Sequence, residues 1–434
     1  MAFLLGVPVA VGCSVAALGV DPVVIAMMAA INLVFVIFFV RHCAFAISAS
    51  RWAGRDVEDA GRIGLTYQPR VSILVACHNE EKVVATLVTG LDRLIYPRKL
   101  LQVILIDDGS SDATGARLDE LTAALAGIEV LHRPVGAGGG KSGALNAALS
   151  QVTGEVVVIF DADHIPEPDS VARLARHFID PVVDAVQGRC VVRNALESTL
   201  ARAIAIDYFS GYLVNEYGRQ ALYGLPAYGG ANCAVRRSTL VSLGGWNRES
   251  VTEDTDLTLR VLLRGGRVRY DITAVDTEEA VGSLARFVKQ RYRWARGHQQ
   301  VWRDYRSGVL RTPYLDAAGR WETLLFLLVY HVPVLCMASL VMTLLRIVGI
   351  GPNVSLVELL PLAALLFVGP YCELAVGLLV GKAPRRSAWA LLWLTPLFVI
   401  FMAICSKAWL DGMLGRPYTW SKTARTSWQP GVMS

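Results

Sequence analysis

The sequence predicts an α/β domain built on a parallel sheet and set between apolar segments that belong in a membrane. Three observations predict it. Val156 to Asp163 reads Val-Val-Val-Ile-Phe-Asp-Ala-Asp, a β-branched apolar run with the pattern of a buried parallel strand. Two similar runs precede it, each followed by a polar turn and a helical pattern, as right-handed β/α repeats require. The 434-residue chain is 53% hydrophobic and only 18% charged, and the excess apolarity lies at its two ends. That balance is too apolar for an ordinary soluble protein.

Taken in order, Ala2 to Val20 and Val23 to Val40 are two apolar runs split by Asp21-Pro22, each about long enough to cross a bilayer. A cleavable signal peptide is the rival for the first run. It lacks a basic leading segment, and the second run follows at once. Arg41, His42, Arg51 and Arg55 come next, and the positive-inside rule places them in the cytoplasm together with the domain they precede. A polar linker occupies Asp56 to Gln68. The first strand, Val71 to Cys77, runs into His78, Asn79 and Glu80. The second, Leu101 to Ile106, ends in Asp107, Asp108, Gly109 and Ser110. Polar strand ends fall along one edge of such a sheet, where open α/β folds bind ligands. Singly, each of these residues reads equally well as a turn or helix cap.

Asp161 and Asp163 end the Val156 strand one residue apart. Facing an anionic diphosphate they would repel it unless a divalent cation lay between, and Mg²⁺ or Mn²⁺ suits carboxylates, phosphate oxygens and water. Gly136 to Gly143, with Lys141 and Ser142, lacks the strand-to-helix setting of a nucleotide-triphosphatase loop. Its glycine backbone and Lys141 would still approach a diphosphate. Eight scattered cysteines without a Cys-x-x-Cys pair, and seven histidines without ligand spacing, exclude zinc and a disulfide framework. The net charge of +5 is mild and falls largely beside the apolar runs, so it reads as membrane-surface bias and excludes a nucleic-acid footprint.

Further on, Tyr228 to Asn232 carries the small residues Gly229, Gly230 and Ala231, which admit a bulky ligand to the backbone. Thr252, Glu253 and Asp254 open a helix. One or two acids there serve as caps, but a third, Asp256, exceeds that need. A carboxylate facing the metal pair would act as a general base toward a hydroxyl. Phe287 to Tyr305 is a basic, aromatic, amphipathic helix on which Gln290, Arg293 and Trp294 share one face. Such helices also lie on anionic lipid. Three later apolar runs cover Thr323 to Leu345, Val354 to Val380 and Ala388 to Leu410, with Glu358 and Glu373 inside the second. Carboxylates at that depth face a partner or a wet cavity.

Asp161-x-Asp163, Thr252-Glu253-Asp254 and Gln290-x-x-Arg293-Trp294, in that order, resemble the membrane-embedded processive family 2 glycosyltransferases, the group of the cellulose, hyaluronan, chitin-oligosaccharide and poly-N-acetylglucosamine synthases. The resemblance spans about residues 70 to 300 and the flanking helices. It implies a cytosolic glycosyltransferase-A-type (Rossmann-like) domain flanked by N- and C-terminal transmembrane helices. By that resemblance Asn79, Glu80, Asp107, Asp108, Lys141, Asp161, Gln290 and Arg293 bind the nucleotide sugar, and Asp161 and Asp163 hold Mg²⁺ or Mn²⁺. Asp254 is the base beside Glu253. Trp294, Gly230, Ala231 and Asn232 meet the acceptor, and Trp420, Thr423 and Arg425 form a gating loop.

The expected organisation is two transmembrane helices in 1–45, the cytosolic domain in 65–280, amphipathic interface helices in 281–320, about three transmembrane or interfacial helices in 321–412 and a tail in 413–434. Three full spans after the domain would put the gating loop outside the cell, a conflict unless one late segment lies in the interface. The implied activity is inverting transfer from a UDP-sugar, UDP-N-acetylglucosamine favoured, onto a growing β-linked polysaccharide exported through the plasma or inner membrane. The expected partners are the UDP-sugar donor, the growing polysaccharide and the lipid bilayer, with accessory subunits where export requires them. The alternatives are a cellulose-like or hyaluronan synthase and a non-processive transferase to a lipid.

Overall fold

The computed structural model describes residues 20–53, 65–350, 368–383, 389 and 391–418. The first apolar run and the Trp420–Arg425 gating loop lie outside the described residues, as does Glu358.

The chain enters as α1 (Val20–Ser48), apolar all round, and continues as a π-helical turn, Ala49–Ala53. The sheet domain then alternates β1 (Val71–Cys77), α2 (Val84–Asp92), β2 (Leu101–Asp108), α3 (Thr114–Thr122), β3 (Ile128–Arg133), α4 (Gly140–Ala148) and β4 (Val156–Asp161). Next come β5 (Ile165–Pro166), α5 (Ser170–Ala175), β6 (Val183–Val192), α6 (Thr199–Ser210), a π-helical segment (Gly211–Glu216) and α7 (Tyr217–Tyr223). The domain closes with β7 (Cys233–Arg236), α8 (Arg237–Ser242), α9 (Glu253–Leu262) and β8 (Arg267–Glu278). After it lie α10 (Leu284–Arg311), α11 (Ala317–Leu328), α12 (Val332–Ile347), α13 (Gly369–Val380) and α14 (Leu391–Met413).

The eight strands form one sheet in the order β3-β2-β1-β4-β7-β6-β8-β5. The β3-β2-β1-β4 half is parallel, as the repeats predict. β7 runs antiparallel to both its neighbours, so the sheet is mixed where the sequence led us to expect a parallel one. Its four residues follow a loop rather than a crossover helix, and a strand so short carries no periodicity to read. One apolar layer packs α2 and α5 beneath β1 and β4, and another packs α4, α9 and α10 above them. The side chains of β1 and β4 are almost wholly buried, which is why both read as continuous apolar runs.

α1 is joined to this domain as well as to the apolar helices. Phe45, Ala49 and Ala53 pack with Leu213, Val214 and Tyr217, and with Tyr270 and Ile272 of β8. The approach is close enough that a Cβ on Gly218 would lie 2.6 Å from the Phe45 ring. Pro22–Ala53 and Leu391–Met413 are long and apolar enough to cross a membrane, with mean hydropathies of 2.9 and 1.9 over their most apolar stretches. The run expected as one span from Thr323 is broken: α11 and α12 meet at 61°. Pro333, at the start of α12, has no N–H to continue the α11 ladder, so the helix restarts there in a new direction. The Val354 to Val380 run is described only as the short α13.

Candidate active site

β1, β2 and β4 run parallel, so their C-terminal ends open on one edge. His78, Glu80, Asp108, Asp161 and Asp163 line a cavity of about 580 Å³ there. The same cavity is lined by Lys141 from α4, Gly230 and Ala231 from the loop before β7, Glu253 and Asp254 from α9, and Gln290, Arg293 and Trp294 from α10. Three motifs far apart in sequence thus share one space.

Lys141 is the link between them. Its ammonium hydrogen-bonds the Asp161 carboxylate, donates to the Gly230 carbonyl at 2.6 Å and lies 3.6 Å from Glu253. Burial disfavours its charge, but Asp161 and Glu253 outweigh that and hold its pKa above the ordinary lysine value. Burial also pushes Glu253 and Asp254 above the usual carboxylate range, against the pull of Lys141 on Glu253 and of the Thr255 N–H, Lys141 and Arg293 on Asp254. The Thr255 N–H donates to Asp254 Oδ1 at 2.6 Å. A Cβ at Gly230 would lie 3.3 Å from Asp254 Oδ2 and 3.4 Å from the Lys141 ammonium, so a side chain there would crowd both.

One ligand atom from each of Asp161, Asp163 and His164 lies within 4.8 Å of the others. His164 is committed elsewhere: its Nδ1 pairs with Asp276 and its Nε2 with Glu278 at 2.9 Å. The two aspartates are what remains for a cation, a hard-oxygen pair suited to Mg²⁺ or Mn²⁺. The contact of Asp161 with an ammonium shows that this carboxylate draws positive charge, so the residues fit a divalent ion.

Three sequence-predicted residues are turned away from the cavity. Asn79, at φ 53°, accepts from the Ser111 N–H at 2.7 Å and shapes the turn after β1. Asp107 accepts from the Ser110 N–H at 3.1 Å and pairs with His132 at 3.0 Å. Asn232 is fully buried, donating to the Arg189 and Ala274 carbonyls at 3.1 and 2.9 Å. Two arginines that the sequence did not single out bear on the site: Arg291 lines the cavity, and Arg133 holds Asp108, which does. Arg133 pairs with Asp108 and bonds the Gly138 carbonyl at 2.9 Å, tying that strand end to the glycine loop. Arg291 pairs with Asp207 at 2.6 Å and stacks on Trp294 at 4.5 Å.

Away from the strand ends the cavity continues toward α1 and α11, past Asp207, Tyr208, Tyr212, Asn215, Glu216 and Tyr330. There Arg41 forms a buried bidentate pair with Glu322 at 2.8 and 2.9 Å, and Arg219 joins it at 3.1 Å. Glu373, expected to need a partner, bonds His42 at 2.6 Å and Asn215 at 3.0 Å.

The family model described as "Glycosyltransferase like family 2" matches residues 69–297, more than half the chain and all of the motifs above. The chain belongs to glycosyltransferase-like family 2. Among its relatives, a probable glycosyltransferase, YdaM, of Bacillus subtilis is 36% identical over 54% of this chain and 56% of its own length. A beta-monoglucosyldiacylglycerol synthase of Trichormus variabilis is 37% identical over 64% and 59%. A poly-beta-1,6-N-acetyl-D-glucosamine synthase of Staphylococcus aureus is 30% identical over 55% and 57%. The family 2 chain thus spans little more than half the length of the curated relatives it matches. A mannosyltransferase of Pyrobaculum calidifontis, solved with GDP-Man and Mn2+, superposes with a TM-score of 0.54 at 19% identity, covering 89% of this chain and all of that one. That likeness extends to the fold, which is glycosyltransferase-A-type.

Proposed function

We propose that the protein is an inverting, membrane-bound hexosyltransferase that moves a sugar from UDP-N-acetylglucosamine to the hydroxyl of a saccharide acceptor, extending a β-linked glycan. The observation that carries this reading is the contact of Lys141 with both Asp161 and Glu253, which sets the diphosphate-and-metal end of the cavity beside the acids of α9.

In this reading Asp254 takes the proton from the acceptor hydroxyl. The acceptor oxygen bonds to the anomeric carbon as the bond from that carbon to the diphosphate breaks, and UDP leaves. Arg293 and Lys141 offset the negative charge that develops on the departing diphosphate in a site sheltered from water, where such charge pairing is strongest. A bound Mg²⁺ or Mn²⁺, held by Asp161 and Asp163, would supply further charge neutralisation there. Glu80 and Asp108 would receive the nucleoside, and Trp294, with Gly230 and Ala231, would seat the acceptor sugar. Asn79, Asp107 and Asn232 would act by shaping the loops that carry these groups.

The choice of a saccharide acceptor rests on the far end of the cavity. Tyr208, Tyr212, Asn215, Glu216 and Tyr330 offer hydrogen bonds and flat rings, a mixture that suits the polar edges and apolar faces of a sugar. A glycan growing there would leave through the helices around α1 and α14, with the sheet domain on the cytosolic side and accessory subunits assisting export. A second reading, a single transfer to a diacylglycerol-type lipid, is favoured by the 37% identity to the monoglucosyldiacylglycerol synthase. Incubating purified protein in nanodiscs with labelled UDP-sugars separates the two. A water-soluble product of many sugars supports the glycan reading. Label confined to the organic phase, one sugar per lipid, supports the other.

A further inference from the structure

α10 carries the cavity-lining face Gln290, Trp294 and, one turn further, His298. His298 lies flat on Tyr330, ring centroids 4.3 Å apart at 22°, with Phe326 edge-on at 6.1 Å. Its Nε2 lies 3.4 Å from Thr255 Oγ1, and that hydroxyl lies 3.2 Å from Asp254 Oδ1. Its Nδ1 is buried without a hydrogen-bond partner. A proton on Nδ1 would bury an unpaired donor, so the proton belongs on Nε2.

We propose that His298 is a positioning residue for Asp254, acting through the Thr255 hydroxyl; the proposal rests on the reading of Asp254 as the base. The Nε2–H donates to Thr255 Oγ1, and the Thr255 hydroxyl hydrogen is thereby directed at Asp254 Oδ1. The Thr255 N–H already holds that same oxygen. With Oδ1 held twice, Oδ2 is the oxygen left for an acceptor, and Oδ2 is the atom that a Cβ on Gly230 would meet. The relay therefore turns the free lone pairs of the base toward the acceptor segment. Burial keeps the His298 pKa at about 4, so the imidazole stays neutral at neutral pH and acts as a fixed director. The other titratable groups around Asp254 are Glu253 on its own helix, Lys141 on α4, Arg293 on α10, Tyr228 and Cys233 around β7, and Tyr330.

The experiment compares His298→Phe, which keeps the ring stack and removes the N–H, with His298→Gln, which keeps a donor and removes the ring. Thr255→Val cuts the same link without touching the stack, and Asp254→Asn serves as the reference. UDP release is followed against pH in nanodiscs, with UDP affinity measured alongside. His298→Phe and Thr255→Val should each lower kcat roughly tenfold and move the acid limb of the profile to higher pH, since a hydrogen bond to the carboxylate is lost. UDP affinity should hold, His298→Gln should recover most of the loss, and the double variant should be no worse than either single one. A wild-type limb in Thr255→Val, or losses that multiply in the double variant, would overturn the relay and leave the base reading intact. Full turnover by Asp254→Asn would remove the base reading and the relay with it.

Discussion

The Lys141 ammonium lies 3.6 Å from the Glu253 carboxylate while hydrogen-bonding Asp161, so one side chain from the glycine-rich loop joins the end of β4 to the first turn of α9. The contact sets the pH response. Burial holds Glu253 and Asp254 above the ordinary carboxylate range, and Lys141 is a charge that pulls both back down. A base works only when ionised, so activity is present above its raised pKa and is lost as pH falls through it. Lys141→Met lifts that pKa further. The acid limb of kcat against pH should move to higher pH, together with a rise in KM for the donor. An unmoved limb would mean that Lys141 does not set the ionisation of the acids.

Gly297 is a point where α10 lies against Thr252 of the turn before α9. A Cβ at Gly297 would lie 2.3 Å from Thr252 Cγ2 and 2.6 Å from its hydroxyl. Gly297→Ala must push the turn outward. It should cost about 1–3 kcal/mol of stability and lower kcat more than it weakens UDP binding. Thermal unfolding in detergent, set beside UDP release and UDP affinity, checks both effects.

Removal of divalent ions by a chelator should stop transfer, and Mn²⁺ or Mg²⁺ should restore it. Asp163→Asn should raise the metal concentration needed for half-maximal rate, because it removes a charge from the oxygen pair. Turnover at full rate in excess chelator would leave Lys141 and Arg293 to neutralise the diphosphate alone.

The Arg41–Glu322 pair ties α1 to α11 with both side chains almost wholly buried. Glu322→Gln strands Arg41 and Arg219 away from water beside a neutral partner. The loss should be about 3–5 kcal/mol, read as a lowered unfolding midpoint in nanodiscs. Exposed pairs such as Arg98–Asp92 should change stability by less than about 1 kcal/mol when broken.

The parts of this site that could be read in the sequence are those where chemistry and local periodicity coincide. The Val156–Asp161 strand is buried on both faces, so its apolar run marks it. Gln290, Arg293 and Trp294 fall on one helical face, so spacing alone brings them together. Asn79 and Asp107 have the right residue types at strand ends and Asn232 lies just before β7, but their hydrogen bonds go to turns and neighbouring strands, and sequence does not reveal which way a polar side chain turns. Arg291 and His298 depend on partners far along the chain, and Arg133 takes its place from Asp108 on the neighbouring strand. His298 in particular acquires its surroundings from Tyr330, at the break between α11 and α12, a break that apolar composition conceals. The π-helical segment Gly211–Glu216 is likewise hidden, because six residues are too few to show a period of their own.

The measurement that tests the account most directly is UDP release, with sizing of the product, by wild-type protein and Asp254→Asn in nanodiscs supplied with UDP-N-acetylglucosamine and Mn²⁺. The account predicts release and a lengthening glycan from the wild type. It predicts a fall of roughly 10²–10⁴-fold in Asp254→Asn, with UDP affinity unchanged. Comparable release from both proteins, or label carried only on lipid, would contradict it.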